Sequence, residues 1–268
     1  MPAAGFHSPL VKAARLLHAK KHRAQARCFL IEGAALLTAA LDAGVVPASV
    51  FVGRDADPAE RAAAKRAQSA GAAAFEVDAR TLASLSQTRA PQGVAAQISF
   101  VDQPLEKVAA GLPASGALTL LVLDDLDDPG NAGTLMRSAE AFGASGVCFG
   151  PESVDPYNDK LVRATMGALF RVPVVRYRDW AHIQSVLRAA NVRTVGSAPG
   201  APDICSVDVG DRVALVLGNE RHGMRALPHI ELTVGIPQQP AGDSLNVAVA
   251  GSILLYELAR RRTRTRDR

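Results

Sequence analysis

Asp127, Asp128, Pro129, Gly130 and Asn131 gather five turn-forming residues in a row, and Leu135, Ala139 and Phe142 then recur at helical spacing, with Gly143 as a stop. Arg137 lies inside that helix, near its loop end. Its guanidinium is a permanent cation with donors set in a planar fork. A surface ion pair with Glu140 or Asp127 is the plain use of such a group, and it is worth little. Two further polar or glycine-rich loops, 218–223 and 236–246, also follow apolar runs. In an open α/β sheet, loops at the carboxyl ends of strands are where ligands bind. The familiar nucleotide signatures are missing, since no G-x-G-x-x-G opens a βα unit and no G-K-[ST] phosphate loop occurs. The six histidines and three cysteines are scattered without metal-ligand spacing, so no metal is expected.

The elements that must carry these loops alternate in type. In the first half, strands are expected at 28–33, 49–53, 73–77 and 93–100, with helices at 10–25, 34–44, 58–70 and 79–86 between and before them. This alternation predicts an α/β domain with a largely parallel sheet. Prolines and small residues from Pro104 to Gly116 suggest a boundary. The second half reads as strands at 118–125, 146–150, 172–177, 192–197, 212–218 and 230–237, with helices near 159–168, 179–190 and 244–262. Its apolar runs suit parallel strands buried on both faces. The expected organisation is a domain over 1–104, a linker over 105–116 and a second domain over 117–268.

Hydrophobic residues make up 48% and charged residues 21% of the 268, a globular balance. The net charge of +4 is unevenly spread. No acidic residue occurs before Glu32, whereas Lys12, Arg15, Lys20, Lys21, Arg23 and Arg27 are basic, and the tail ARRRTRTRDR is basic again. Such asymmetry points to a polyanion partner. That polyanion is a nucleic acid or a membrane surface, and on one helix over 10–25, Lys12, Arg15, Lys20 and Arg23 share a broad side as its candidate contacts. Scattered cysteines and the lack of a basic-then-apolar leader fit a reduced cytoplasm.

The second half resembles the SpoU-type RNA ribose 2′-O-methyltransferases of the trefoil-knotted SPOUT superfamily. Three blocks carry the resemblance: LDDLDDPGNAGTLMRSAEAFGASGV with Asn131, Gly133 and Arg137, then LVLGNERHGM, then IPQQPAGDSLNVAVAGSILLYEL. The segment LVRATMGALFRVPVV is similar to the family's linking helix and strand, and SPLVKAARLLHAKKHRAQARCFLIEG resembles its RNA-binding, ribosomal-protein-like extension. Gln238 stands where the family pattern carries methionine. The resemblance implies a C-terminal α/β trefoil-knot domain with a parallel sheet and a small N-terminal α/β RNA-binding domain. A homodimer joined through the C-terminal domain is expected because Val249, Ile253, Leu254 and Leu258 spread apolar surface over more of the last helix than one sheet could cover. It implies S-adenosylmethionine held by Gly218, Ile236 and Leu245, with Leu217, Asn219, Ser244 and Ser197 beside them. It also implies a catalytic set of Arg137, Asn131, Glu220 and Asn246.

A guanidinium with a pKa above ~12 is a poor literal base. Arg137 is therefore expected to donate to the ribose oxygen as it loses its proton. Asn131 would orient it from the loop, Glu220 would position it or the ribose, and Asn246 would cap the last helix or touch substrate. Ribosomal RNA is the favoured substrate, and transfer RNA is the alternative. A non-catalytic RNA-binding homologue would be expected to have lost at least one member of the catalytic set, and all four are present.

Overall fold

In a computed structural model the chain divides into two units, Met1–Val101 with Tyr157–Arg171, and Asp102–Pro156 with Val172–Arg268. The structure describes residues 1–219, 221–223, 230–239 and 244–266, with side chains of the last helix up to Arg262.

In the first unit, α1 (Pro9–Leu16) starts where the Ser8 hydroxyl accepts from the Val11 amide, and Pro9 fills a first-turn position that needs no donor. The helix expected over 10–25 breaks after Leu16, and α2 (Lys20–Ala26) begins anew. Arg23 gives the physical reason. Its Nη1 donates to the carbonyls of Leu17 at 3.0 Å and His18 at 2.8 Å, partnering oxygens that a helix end leaves open. Arg23 is thereby buried at 5% exposure. The expectation that it faces RNA is corrected: it is a clamp inside the protein.

Strands β1 (Cys28–Glu32), β2 (Ser49–Gly53), β3 (Ala73–Val77) and β4 (Val94–Ser99) form a sheet in the order β1-β4-β2-β3. Helices α3 (Ala34–Asp42), α4 (Pro58–Ser69) and α5 (Ala79–Ala83) join them. Only β2 and β3 pair in parallel; β4 runs antiparallel to β1 and β2, so the largely parallel sheet expected here does not form. Alternation of strands and helices does not by itself fix strand direction: β4 lies between β1 and β2 and pairs antiparallel with both.

Residues 157–171, expected within the second domain, join this unit as α8 (Asp159–Ala164) and α9 (Ala168–Arg171). Here α8 packs on β1. The ring of Phe29, on β1, lies 4.8 Å from that of Tyr157 and 6.4 Å from that of Phe170.

The second unit opens with α6 (Leu105–Ala110), inside the stretch expected as a linker. Leu105 and Val108 sit one turn apart and bury in the same core as Val122, Trp180 and Ile183, which is why this stretch folds as a helix. Strands β5 (Leu118–Leu123), β6 (Gly146–Phe149), β7 (Val174–Arg176), β8 (Arg193–Ser197), β9 (Arg212–Leu217) and β10 (Leu232–Val234) form one sheet in the order β10-β8-β9-β5-β6-β7. Every pairing in it is parallel, as the apolar runs predicted. The chain builds outward from β5 through β6 and β7, then returns to the other side of β5. This makes the β5–β9 boundary a topological switch point, where ligands bind in such sheets.

Helices α7 (Pro129–Ala141), α10 (Trp180–Ala189) and α11 (Val247–Arg266) complete the unit. The last of these lies along α7 and touches β5 and β9. The approach is close: a Cβ on Gly251 would stand 2.5 Å from Leu135 Cδ2 and 2.5 Å from Leu217 Cδ1. The Ser138 and Ser252 hydroxyls meet across the two helices at 2.6 Å.

Candidate active site at the strand ends

The three polar loops converge at the carboxyl ends of β5, β9 and β10. After β5, the Asp128 carboxylate accepts from the Asn131 amide at 2.8 Å and Pro129 occupies the first turn, so α7 begins sooner than the turn-rich composition suggested. Asn131 is therefore in the first turn of the helix and not in the loop.

After β9, Asn219 turns the chain back on itself, with its backbone N–H and C=O both paired to Gly223 at 3.0 Å. Its side-chain amide donates to the Asp125 carbonyl and to Asp127 Oδ2, each at 3.0 Å, while its Oδ1 accepts from the Arg221 and His222 amides. Behind the β5 loop, the fully buried Asp124 carboxylate accepts from the Tyr177 hydroxyl at 2.7 Å.

Before α11, Asn246 has two functions at once. Its Oδ1 accepts from the Ala248 and Val249 amides, capping the helix, and its Nδ2 donates to Asn131 Oδ1 at 3.0 Å. The capping half of the expectation for Asn246 is met, and the rest of its side chain is bonded to Asn131.

A cleft with about 670 Å³ of open space lies between these loops. All seven residues expected beside the cofactor line it: Ser197 from the end of β8, then Leu217, Gly218 and Asn219 from β9, Ile236 after β10, and Ser244 and Leu245 before α11. Sequence reasoning missed Ala198 and Pro199 after β8, and Val247 and Ala250 on α11. Their signal was adjacency to Ser197 and Leu245. Gln238, the departure from the family pattern, also lines the cleft. Its lining suits a nucleoside with an apolar arm, being mostly apolar with a few polar groups.

Arg137 is exposed, and its guanidinium has no partner among the described residues, so the ion pairs with Glu140 and Asp127 do not form. It stands six residues beyond Asn131, about 9 Å along the helix axis and about 120° around it. The expectation that Asn131 orients Arg137 is not met, because the Asn131 Oδ1 is turned to Asn246. Glu220 lies outside the described residues. On the first unit, Lys12 and Lys20 are exposed. Arg15 is half-buried, donating to the Phe6 carbonyl at 2.8 Å with its guanidinium 4.0 Å from the centre of the Phe6 ring.

The SpoU rRNA Methylase family matches residues 119–256, spanning all three loops. The chain belongs to this family. An MRM3-like substrate binding domain matches residues 8–96. Among SpoU relatives, the 23S rRNA (guanosine(2553)-2'-O)-methyltransferase RlmP of Bacillus subtilis is 33% identical over 253 residues, 92% of this chain and 95% of that protein. The structure of an AdoMet-bound rRNA methyltransferase from Sinorhizobium meliloti superposes with a TM-score of 0.83 at 32% identity, covering 97% of this chain and 98% of that one. An RNA 2'-O ribose methyltransferase structure superposes with a TM-score of 0.78 at 31% identity, covering 98% and 100%.

Proposed function

We propose that this SpoU-family protein is an S-adenosylmethionine-dependent methyltransferase acting on a ribose 2′-hydroxyl of ribosomal RNA. The observation that carries the reading is the cleft, in which seven residues chosen for a cofactor line one space at the strand ends. Relatives named for ribosomal RNA cover both units of this chain, which supports that substrate over transfer RNA.

When bound, the cofactor supplies a methyl group on a sulfonium. The protein's part is to hold two reactants in line and to stabilise an oxygen that loses its proton. Leu217, Ile236 and Leu245 form apolar walls for the adenosine side, and the loop backbones supply polar contacts. Asn246 keeps α11 and α7 in register through Asn131. Arg137, with no protein partner among the described residues, donates to the ribose oxygen and an adjoining phosphate. Glu220 positions the ribose or Arg137.

The reading extends to a cytoplasmic homodimer whose C-terminal segment threads a loop in a trefoil knot. Support for the dimer is the face of α11. Val249 and Ile253, expected at the interface, are 49% and 40% exposed, and Leu245 and Tyr256 continue the stripe; Leu254 and Leu258, expected with them, are core residues instead. Support for the knot is family membership and the return of α11 onto α7. Mapping 2′-O-methyl groups in ribosomal RNA from cells with and without the gene tests the function: one lost modification, restored by purified protein and S-adenosylmethionine, is expected. An unchanged map and no cofactor binding refute it. Sedimentation at micromolar concentration tests the dimer, and a monomer refutes it.

A further inference from the structure

We infer that the Asn219 side chain is a positioning residue for methyl transfer rather than a cofactor contact: it couples the floor of the cleft to the start of the catalytic helix. The inference rests on the function proposed above. The amide has two donor hydrogens and two acceptor sites. The Asp125 carbonyl and Asp127 Oδ2 take the donors, and the Arg221 and His222 amides take the acceptor. Nothing remains to reach a ligand, and the residue is only 7% exposed. Its contribution to the cleft comes from its backbone, while its side chain spans from β9 to the β5–α7 loop.

That loop is held at a costly conformation. Asp125 is a non-glycine residue with φ of 62°, a left-handed backbone that needs support from its surroundings. Support comes from two sides: Tyr177 bonds the Asp124 carboxylate before it, and Asn219 bonds the Asp125 carbonyl itself. Six residues beyond Asp125 stands Asn131, and six beyond that Arg137. Releasing the Asn219 donors therefore lets the start of α7 move relative to the cleft. A displacement of about 1 Å at reacting groups costs about 10²-fold in rate.

Asn219→Asp is the decisive variant, because it keeps the shape and the acceptor and replaces only the donor. The new carboxylate would face the Asp125 carbonyl and the Asp127 carboxylate, acceptor against acceptor. The other described titratable groups on the two loops are Asp124, Asp125 and Asp128 on one side, and Arg221 and His222 on the other. At pH 8, with 23S rRNA transcript and tritiated S-adenosylmethionine, kcat is expected to fall about 10- to 100-fold with the cofactor Kd changed less than about threefold.

Acidification to about pH 6 should restore part of the loss, as the two facing carboxylates come to share a proton. The wild type, carrying the same His222, is the control for that profile. Adding Asp127→Asn to Asn219→Asp reverses donor and acceptor across that one bond, leaves the Asp125 carbonyl without its donor, and should recover part of kcat at pH 8. The inference is overturned by a variant with wild-type kcat at every pH, by a swap that rescues nothing, or by a large rise in cofactor Kd with kcat intact. The last result would make Asn219 a cofactor residue. Failure of the wild type itself to methylate the transcript or bind S-adenosylmethionine would instead strike the proposed function.

Discussion

Gly251→Ala sets two effects of one methyl group against each other. Alanine in a helix interior is favoured over glycine by about 1 kcal/mol. Its Cβ, however, would lie 2.5 Å from both Leu135 Cδ2 and Leu217 Cδ1, where carbon atoms normally rest about 3.5–4.0 Å apart. Each leucine has to retreat by about 1 Å, and both are buried, at 0% and 2% exposure. Overpacking of this kind costs about 1–3 kcal/mol. The net is a destabilisation of about 0–2 kcal/mol, or up to about 8 °C in Tm for a chain of this size. Leu217 also lines the cleft. Its displacement is expected to weaken S-adenosylmethionine about three- to tenfold, equivalent to about 0.7–1.4 kcal/mol. Thermal unfolding with and without cofactor, together with titration calorimetry, reads both quantities. A raised Tm with unchanged cofactor affinity would refute the packing argument, because helix propensity would have outweighed a contact that the leucines could absorb.

Arg137→Ala should lower turnover about 10²–10³-fold with Tm and cofactor Kd nearly unchanged, since the side chain has no described partner and its contacts belong to RNA and the transition state; near wild-type turnover would remove it from the mechanism. Arg137→Lys should recover activity only partly, because lysine lacks the planar fork. Lys12→Ala and Lys20→Ala should each reduce the salt dependence of RNA binding by about one counterion while leaving Tm alone. Arg23→Ala should do the reverse, lowering Tm with little change in that slope, because it strands the Leu17 and His18 carbonyls. Hydrogen bonds from Arg260, aided by Arg261, hold the buried Glu257 carboxyl below its ordinary value of 4.5. A depressed carboxylate pKa contributes stability above the unfolded value and loses it as pH falls through the folded one. Glu257→Gln should therefore lower Tm near neutrality, and the gap to wild type should close in acid; a gap independent of pH would contradict this.

The parallel sheet of the second unit and the three loops at its strand ends were legible because apolar runs and turn residues report burial and chain reversal directly. The residues expected beside the cofactor came from the resemblance, and the structure places them together at those ends. Periodicity carries no information about neighbours, and the departures lie there. Nothing local in VAAQISF says that β4 runs opposite to β2; that depends on which strands it is placed between. Arg23 fits an exposed basic stripe until the turn at Leu17–Ala19 brings two carbonyls to its guanidinium. Asn131 looked like a loop residue because Asp128, Pro129 and Gly130 are turn formers, yet an Asp cap followed by Pro is also how a helix starts. Gly251 was a readable sign of close helix contact, since a glycine deep in an otherwise apolar helix costs stability unless something needs the space.

Residues 157–171 leave the second unit after β6 and rejoin it at β7, and in between they pack on β1 of the first unit. No single cut in the gene separates the two. A crossover near codon 117 would part α8, with its buried Leu161 and Val162, from the β1 strand on which it packs. A graft of the first unit must therefore move two stretches of coding sequence together, or change β1 and α8 in step.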